Sequence, residues 1–210
     1  MFSEATMKIL MSAVIAYVLG SISFSILLSK SLFRKDVREG GSGNAGATNM
    51  ARSFGKLAGA LTLLGDVLKT VLAVIVGRYL AGDWGIIVAC ICCQLGHCFP
   101  AYHQLKGGKG VAVGLAITFV VGWQVTVCVL VVFILTAVLT KKISLASLLA
   151  TFSAIPAAYF VASDRRYFWM ISIAALIVIF RHKENISRLI KGEEKDFHFA
   201  DNKKEKEGKE

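Results

Sequence analysis

The sequence has little charge and almost no proline. Only 18% of the 210 residues are charged and two are proline, whereas 55% are hydrophobic. The mean hydropathy is +0.62. A soluble domain of this size carries more surface charge, so the composition is typical of a membrane protein with several spans. The missing charge is concentrated in long runs, because residues 9–29, 111–140 and 143–163 contain none.

Acidic residues are scarcer than basic ones. The sequence contains 14 acidic residues and 24 lysines and arginines, which gives a formal net charge of +10. This excess suits anionic lipid head groups or phosphorylated substrates. We expect no nucleic-acid partner, because the basic residues are not laid along a soluble face. We predict a single integral membrane domain over residues 1–200, and a disordered charged tail over residues 201–210, where Lys and Glu alternate.

The five cysteines all lie in apolar runs, which disfavours a secreted disulfide framework. A cluster of metal-ligand types occurs at Cys90, Cys92, Cys93, His97 and Cys98. No carboxylate accompanies it, and small apolar cysteines are common in buried helices. We therefore interpret the cluster as helix packing and expect neither a metal nor a cofactor.

The uncharged run 111–140 decides the number of spans. As one helix it would be about 45 Å long, whereas the hydrocarbon core is about 30 Å thick. A tight turn at Gly122-Trp123 would divide it into two short helices. The sequence then predicts an all-α polytopic membrane protein with seven transmembrane helices, some of them short: residues 9–29, 57–77, 84–100, two within 111–140, 143–163 and 167–180.

Loop charge sets the expected orientation. The loops around Ser42 and Lys109, the Lys141-Lys142 turn and the C-terminal segment are basic, whereas the connections near Asp83 and Gly122 are not. The Asp164 loop carries two arginines against this trend, but it is very short. By the positive-inside rule, the basic set lies in the cytoplasm and the N-terminus outside. With seven spans the C-terminus is cytoplasmic, and all three polar segments described next face the same side.

The first polar segment, residues 40–49, is dense in glycine and has basic flanks that include Arg52. Glycines let backbone N–H groups converge on an anion, and Ser, Asn and Thr add donors. A flexible linker is the alternative. Residues 41–46 match G-x-G-x-x-G, but no strand precedes them, so a dinucleotide site is rejected. The expected phosphate-binding residues here are Gly41, Gly43, Asn44, Gly46, Thr48 and Asn49.

The second and third polar segments are residues 103–110 and 181–194. The second contains Lys106, Gly107, Gly108 and Lys109 just before an apolar helix, whose N-terminus would favour an anion. An ordinary positive-inside flank is the alternative.

In the third segment, His182 and Asn185 share a helix face, where His182 could act as a base and Asn185 could orient a hydroxyl. An interfacial helix end on lipid head groups is the competing interpretation. His97 is assigned a supporting role beside Lys109. Asp66 and Lys69, at i and i+3 in a predicted span, are interpreted as a structural ion pair.

Three stretches together carry a family resemblance. They are Ser42-Gly43-Asn44-Ala45-Gly46-Ala47-Thr48-Asn49, Lys106-Gly107-Gly108-Lys109-Gly110-Val111-Ala112, and His182-x-x-Asn185-Ile186-x-Arg188-Leu189-x-x-Gly192-x-Glu194. In order and spacing they resemble the signatures of the bacterial acyl-phosphate:glycerol-3-phosphate acyltransferase family (PlsY). The resemblance implies a multi-pass inner-membrane enzyme whose active site faces the cytoplasm. It would move a fatty acyl group from acyl phosphate to the 1-hydroxyl of glycerol 3-phosphate, the first committed acylation of phospholipid synthesis.

The resemblance also implies roles for individual residues. Ser42, Arg52, His182 and Asn185 would serve catalysis, and the glycines and lysine of the second segment would bind glycerol 3-phosphate. Glu194 would hold structure, with Arg188 also in a supporting role. The expected partners are acyl phosphate, glycerol 3-phosphate and membrane lipids, and a further candidate is the enzyme that makes acyl phosphate.

The chemistry of the residues agrees with this resemblance. Acyl phosphate is a mixed anhydride with a good leaving group, so we expect direct attack by the glycerol hydroxyl without a covalent acyl-enzyme. The H-x-x-x-x-D motif of common glycerolipid acyltransferases follows none of the four histidines. The competing function is a transporter of a phosphorylated solute, which predicts charges along the spans. Only Asp66 and Lys69 lie within the spans, and Arg78 directly follows the second span.

Overall fold

The computed structural model describes residues 2–198, and the predicted tail over residues 201–210 lies outside this range. Within residues 2–198 the chain is helical and contains no strand. The helices are α1 (Glu4–Gly20), α2 (Phe24–Phe33), α3 (Ala47–Phe54), α4 (Lys56–Cys98), α5 (Val111–Val121), α6 (Trp123–Thr140), α7 (Ile143–Val161), α8 (Arg165–Arg181) and α9 (Lys183–Ile190).

The first predicted span is divided between two helices. The prediction of one helix over residues 9–29 is wrong, because α1 ends at Gly20 and α2 begins at Phe24. Ser21 donates its hydroxyl to the carbonyl of Tyr17, and the carbonyl of Ile22 accepts from Lys69 Nζ at 2.7 Å. The break between α1 and α2 thus leaves the Ile22 carbonyl free to accept a hydrogen bond from a lysine of another helix. No charged residue in the local sequence indicates this break.

Helix α4 is a hairpin of two arms, residues 56–80 and 83–98. The chain leaves helical geometry at Ala81 and Gly82, and Gly82 has a positive φ of 57°. The arms then fold back so closely at Gly77 and Gly85 that a side chain on either would overlap backbone atoms of the other. The two predicted spans over residues 57–77 and 84–100 are therefore the two arms. Helix α1 packs along them, and Ser12 Oγ donates to the Gly85 carbonyl at 3.1 Å.

The second half of the chain is a cluster of shorter helices. Helix α5 ends at Val121 and α6 begins at Trp123, so the predicted break at Gly122 is confirmed. The hydroxyls of Thr118 and Thr126 lie 2.9 Å apart across the break and join the two helices. Helix α6 packs on α7 and α7 on α8, while α5 contacts α4 and α8. With 11 residues, α5 is about 17 Å long and therefore shorter than the bilayer core.

The outer surface of the bundle is apolar. By length and composition, four stretches could cross a membrane: Glu4–Phe33, Lys56–His103, Trp123–Thr140 and Ile143–Val161. Large apolar side chains such as Val138, Leu139 and Phe160 are exposed on these helices. The expected all-α polytopic membrane architecture agrees with these features.

Candidate active site

The three polar segments meet around one cavity of about 590 Å³, a volume typical of ligand sites. All predicted site residues line it except Gly43, Lys106, Gly107 and Gly108. Its polar end is formed by the three segments. Away from them its walls are apolar faces of α5, α6, α7 and α8: Val111, Leu115, Val129, Leu130, Phe133, Ile143, Ala150, Ala154, Ile171, Ala174, Ala175 and Val178.

The buried amide of Asn49 organises the first polar segment. Its Nδ2 donates to the carbonyls of Val37 at 2.8 Å and Gly40 at 3.1 Å, and its Oδ1 accepts the Ser42 N–H at 2.8 Å. These hydrogen bonds show that the Asn49 amide holds the shape of the loop. Asn49 also lines the cavity, and its predicted contact with phosphate stays a prediction. Helix α3 starts just after the loop, with its N-terminus and Arg52 at the cavity wall.

The second polar segment is held by its neighbours' backbone and by an arginine. Gly108 donates its N–H to the carbonyl of His97 at 3.1 Å. Arg181 donates from Nε to the Gly108 carbonyl and from Nη2 to the Gly107 carbonyl, both at 3.1 Å. Sequence reasoning missed this role of Arg181, since an arginine at a span end is ordinary. The clamp leaves Lys109 and the start of α5 at the cavity.

A chain of hydrogen bonds joins the second segment to the third. Lys109 Nζ donates to Asn185 Oδ1, Asn185 Nδ2 donates to Glu194 Oε1 at 2.7 Å, and Arg188 Nε donates to Glu194 Oε2 at 2.6 Å. Burial lowers the pKa of Lys109 to about 8, so the ammonium is charged at neutral pH. Although burial opposes it, the hydrogen bonds that Glu194 accepts lower the pKa of its carboxyl.

The His182 ring is fixed as a hydrogen-bond acceptor. Its Nδ1 lies 2.8 Å from the Val178 carbonyl oxygen, which can only accept, so Nδ1 carries the proton and Nε2 presents a lone pair. Burial lowers the pKa of His182 to about 4, because the charged imidazolium would be desolvated. The ring is therefore neutral at pH 7 and can accept a proton or hydrogen bond through Nε2.

Three buried ionisable side chains adjoin the cavity beneath the second segment. Lys69 Nζ lies 2.8 Å from Asp66 Oδ1 and 3.1 Å from His97 Nδ1. The predicted Asp66–Lys69 ion pair is thus confirmed. Its third member, His97, comes from the other arm of α4. Asp66 and His97 line the cavity, so the cluster borders the site.

A second, more polar cavity of about 730 Å³ shares Ser42, Asn44, Lys109 and Arg188 with the first. Gly43, Lys106 and Gly107 line this second cavity, and Gly108 instead packs against the His97 ring. In the part of the chain that the structure describes, no group of three His, Cys, Asp or Glu side chains could hold a metal ion. Cys90, Cys93 and Cys98 are buried in α4.

Known proteins resemble this chain over most of its length. A family model described as glycerol-3-phosphate acyltransferase matches residues 10–192. The glycerol-3-phosphate acyltransferase of Neisseria meningitidis serogroup C / serotype 2a is 39% identical over 185 residues, which cover 86% of this chain and 92% of the relative. That of Clostridioides difficile (strain 630) is 40% identical over 189 residues, covering 87% and 92%.

Two solved structures share the fold. The crystal structure of PlsY (YgiH), an integral membrane glycerol 3-phosphate acyltransferase, in its glycerol 3-phosphate form has a TM-score of 0.85 and 34% identity, covering 90% of this chain and 96% of that one. Its lysophosphatidic acid form has a TM-score of 0.83 and 33% identity, covering 90% and 95%. The chain belongs to the glycerol-3-phosphate acyltransferase family.

Proposed function

We propose that the protein is a multi-pass membrane enzyme that transfers a fatty acyl group from acyl phosphate to the 1-hydroxyl of glycerol 3-phosphate. The observation that carries the proposal is the cavity itself, which joins a cationic, glycine-lined end to an apolar interior. An acyl phosphate has the same division into anion and hydrocarbon. The PlsY structures, whose forms contain glycerol 3-phosphate and lysophosphatidic acid, add support for the acceptor and the product.

The two cavities suit two phosphorylated substrates. The first, with its apolar walls, would hold acyl phosphate, and its phosphate would lie near Ser42, Arg52 and the N-terminus of α3. Glycerol 3-phosphate would enter the second, which Lys106 and Arg181 help to line. Lys109 borders both cavities and would stabilise the negative charge that develops as the acyl group is transferred from one substrate to the other.

The proposed reaction is a direct substitution. The oxygen of the glycerol 1-hydroxyl forms a bond to the acyl carbonyl carbon, and the bond from that carbon to the phosphate oxygen breaks. The electron pair leaves with the phosphate, and the hydroxyl proton goes to His182 Nε2 or to a phosphate oxygen. Placing the two substrates side by side supplies much of the rate, since it makes the step effectively unimolecular.

The proposed location is the bacterial inner membrane, with seven spans, an outside N-terminus and the site facing the cytoplasm. Because all three basic segments border the same cavity, they lie at one end of the bundle, which supports one cytoplasmic face. A cytoplasmic mouth would receive glycerol 3-phosphate from solution, and acyl phosphate from the enzyme that makes it.

Purified protein in lipid bilayers, supplied with acyl phosphate and labelled glycerol 3-phosphate, tests the function. We expect lysophosphatidic acid and phosphate in equal amounts. Ser42→Ala and Lys109→Ala should each lose most of the activity, while Lys8→Ala, which removes a lysine charge from exposed α1, should retain it. The proposal would be wrong if wild type made no product or if both site variants were fully active. Solute flux into vesicles without chemistry would instead favour a transporter.

A further inference from the structure

We propose that His97 is a second imidazole of the active site, held by Lys69 and Asp66 as the Nε2–H tautomer, and that its Nε2–H donates a hydrogen bond to the phosphate of the acyl donor. The identity of that anion rests on the proposed function. The tautomer does not, because it follows from contacts within the protein.

The three side chains form a closed cluster in the membrane-spanning hairpin. Asp66, Lys69 and His97 expose 1%, 4% and 6% of their surface. Ionisable groups at such a depth are costly and are usually found facing a functional cavity or a partner. An ion pair alone would require only the first arm of α4, but the cluster also includes His97 from the second arm and the Ile22 carbonyl at the α1–α2 break.

The lysine determines where the imidazole carries its proton. An ammonium has three donors and no acceptor. Lys69 Nζ donates to the Ile22 carbonyl at 2.7 Å and lies 3.1 Å from His97 Nδ1, and it forms an ion pair with Asp66 Oδ1 at 2.8 Å. A proton on Nδ1 would place two donors against each other, so Nδ1 presents its lone pair. Asp66 Oδ1 is farther from Nδ1, at 3.4 Å, and pairs instead with the Lys69 ammonium.

The opposite nitrogen of the ring reaches the boundary between the first two polar segments. A side chain at Gly108 would overlap His97 Nε2 and would also lie 2.8 Å from the Ala45 carbonyl oxygen. Gly108 in turn donates its N–H to the His97 carbonyl, which fixes the distance between the helix and the loop. His97 lines the same cavity as Ser42, so an anion held at this end would be the acceptor for its Nε2–H.

The two imidazoles of the cavity therefore have opposite polarity. His182 donates from Nδ1 to Val178 and accepts at Nε2, whereas His97 accepts at Nδ1 from Lys69 and donates from Nε2. In acyl transfer, an acceptor is needed at the attacking hydroxyl and a donor at the leaving phosphate, where negative charge develops. His97 keeps its proton throughout, so Lys69 and Asp66 are positioning residues that act through it.

Nitrogen NMR of the imidazole rings tests the tautomer directly. The full chain with ¹⁵N-labelled histidine, in lipid nanodiscs, contains four histidines, and His97→Gln assigns the signal. We expect His97 to show a protonated Nε2 and a bare Nδ1, and His182 to show the reverse. In Lys69→Met the His97 signal should shift towards a mixture of tautomers. A protonated Nδ1 at His97 in wild type would overturn the proposal.

Kinetics test the contact with the substrate. A Gln amide nitrogen can reach the place of Nε2, whereas the shorter Asn side chain cannot. His97→Gln should keep activity within about fivefold, while His97→Asn should lose about 10–100-fold in kcat/KM for acyl phosphate, the range expected for one hydrogen bond to a charged group. The KM for glycerol 3-phosphate should change less than about twofold in both.

The control is His103→Gln, at a histidine outside the cavity, which should match wild type. Equal activity of His97→Asn and His97→Gln would refute the contact, as would an equal loss of affinity for both substrates. If wild type made no lysophosphatidic acid, the proposed function would fail, while the NMR result would still decide the tautomer.

Discussion

The amide of Asn185 is a directional bridge, and Asn185→Asp tests its direction without changing its shape. In the protein, Oδ1 accepts from Lys109 and Nδ2 donates to Glu194 Oε1 at 2.7 Å. An aspartate keeps the acceptor towards Lys109 but replaces the donor with a second carboxylate oxygen. The new carboxylate would then face that of Glu194 at hydrogen-bond distance.

The expected defect follows from the charges. Two carboxylates about 4 Å apart repel by about 4 kcal/mol at an effective dielectric constant of about 20. The ammonium of Lys109 contacts the same side chain and offsets this repulsion, so the loss is mainly that of the hydrogen bond to the Glu194 carboxylate, about 2 kcal/mol, or a 30-fold loss of activity. A like charge raises a carboxyl pKa, and a protonated carboxyl can again donate to Glu194. The defect should therefore be large at pH 7.5 and shrink as the pH falls to 5.5.

The measurement is the ratio of wild-type to variant initial rates across that range, which lies below the pKa of Lys109. Gln124→Glu, on the exposed start of α6 outside the cavity, adds the same charge and should match wild type at each pH. Wild-type activity of Asn185→Asp at pH 7.5, or a ratio that does not vary with pH, would refute the bridge.

Further variants address charge, packing and topology. Because burial lowers the pKa of Lys109 to about 8, the wild-type KM for glycerol 3-phosphate should rise as the pH passes through 8. The KM of Lys109→Arg should stay constant up to pH 9, and the same alkaline rise in both proteins would contradict this prediction. Gly108→Ala should lose at least tenfold in activity because its Cβ would overlap the His97 ring, while Gly114→Ala, with only a 4.0 Å contact to Val178, should stay within about twofold. Thermal unfolding of both glycine variants shows whether the loss is local, and equal activities would contradict the packing argument. Trp123→Cys should react with impermeant thiol reagents from outside the cell, and labelling from the cytoplasm would break the seven-span arrangement.

The sequence predicted those features that depend on residues close together in the chain. The Gly122 break followed from helix length and loop charge, and the pairing of Asp66 with Lys69 followed from their spacing on one helix face. The α1–α2 break was missed because uncharged serines in an apolar run do not alter hydropathy, although their hydroxyls compete for backbone hydrogen bonds.

The sequence did not predict the contacts between site residues that lie far apart in the chain. His97 was given a supporting role, but its contact with Lys69 depends on the α4 hairpin, which brings residues of both arms together. Arg181 resembled an ordinary charged end of a span, yet it holds two carbonyls of the second polar segment, more than 70 positions away. Side chains that act on a distant loop leave no local pattern, because the fold alone determines which loop they reach.

The buried Asp66–Lys69 pair also raises the question of why such charges persist within a span. Replacing a buried ion pair by apolar side chains is often neutral for stability, whereas removing one partner costs about 3–5 kcal/mol. Asp66→Leu or Lys69→Met alone should therefore lower the thermal unfolding temperature, and the double variant should recover much of it. If the pair exists to fix the His97 tautomer, the recovered double variant should still have low activity, since Nδ1 has lost its donor. A double variant that is both stable and fully active would show that the charges are needed neither for the His97 tautomer nor for stability. A double variant that unfolds as easily as the single variants would show that the charges stabilise the fold.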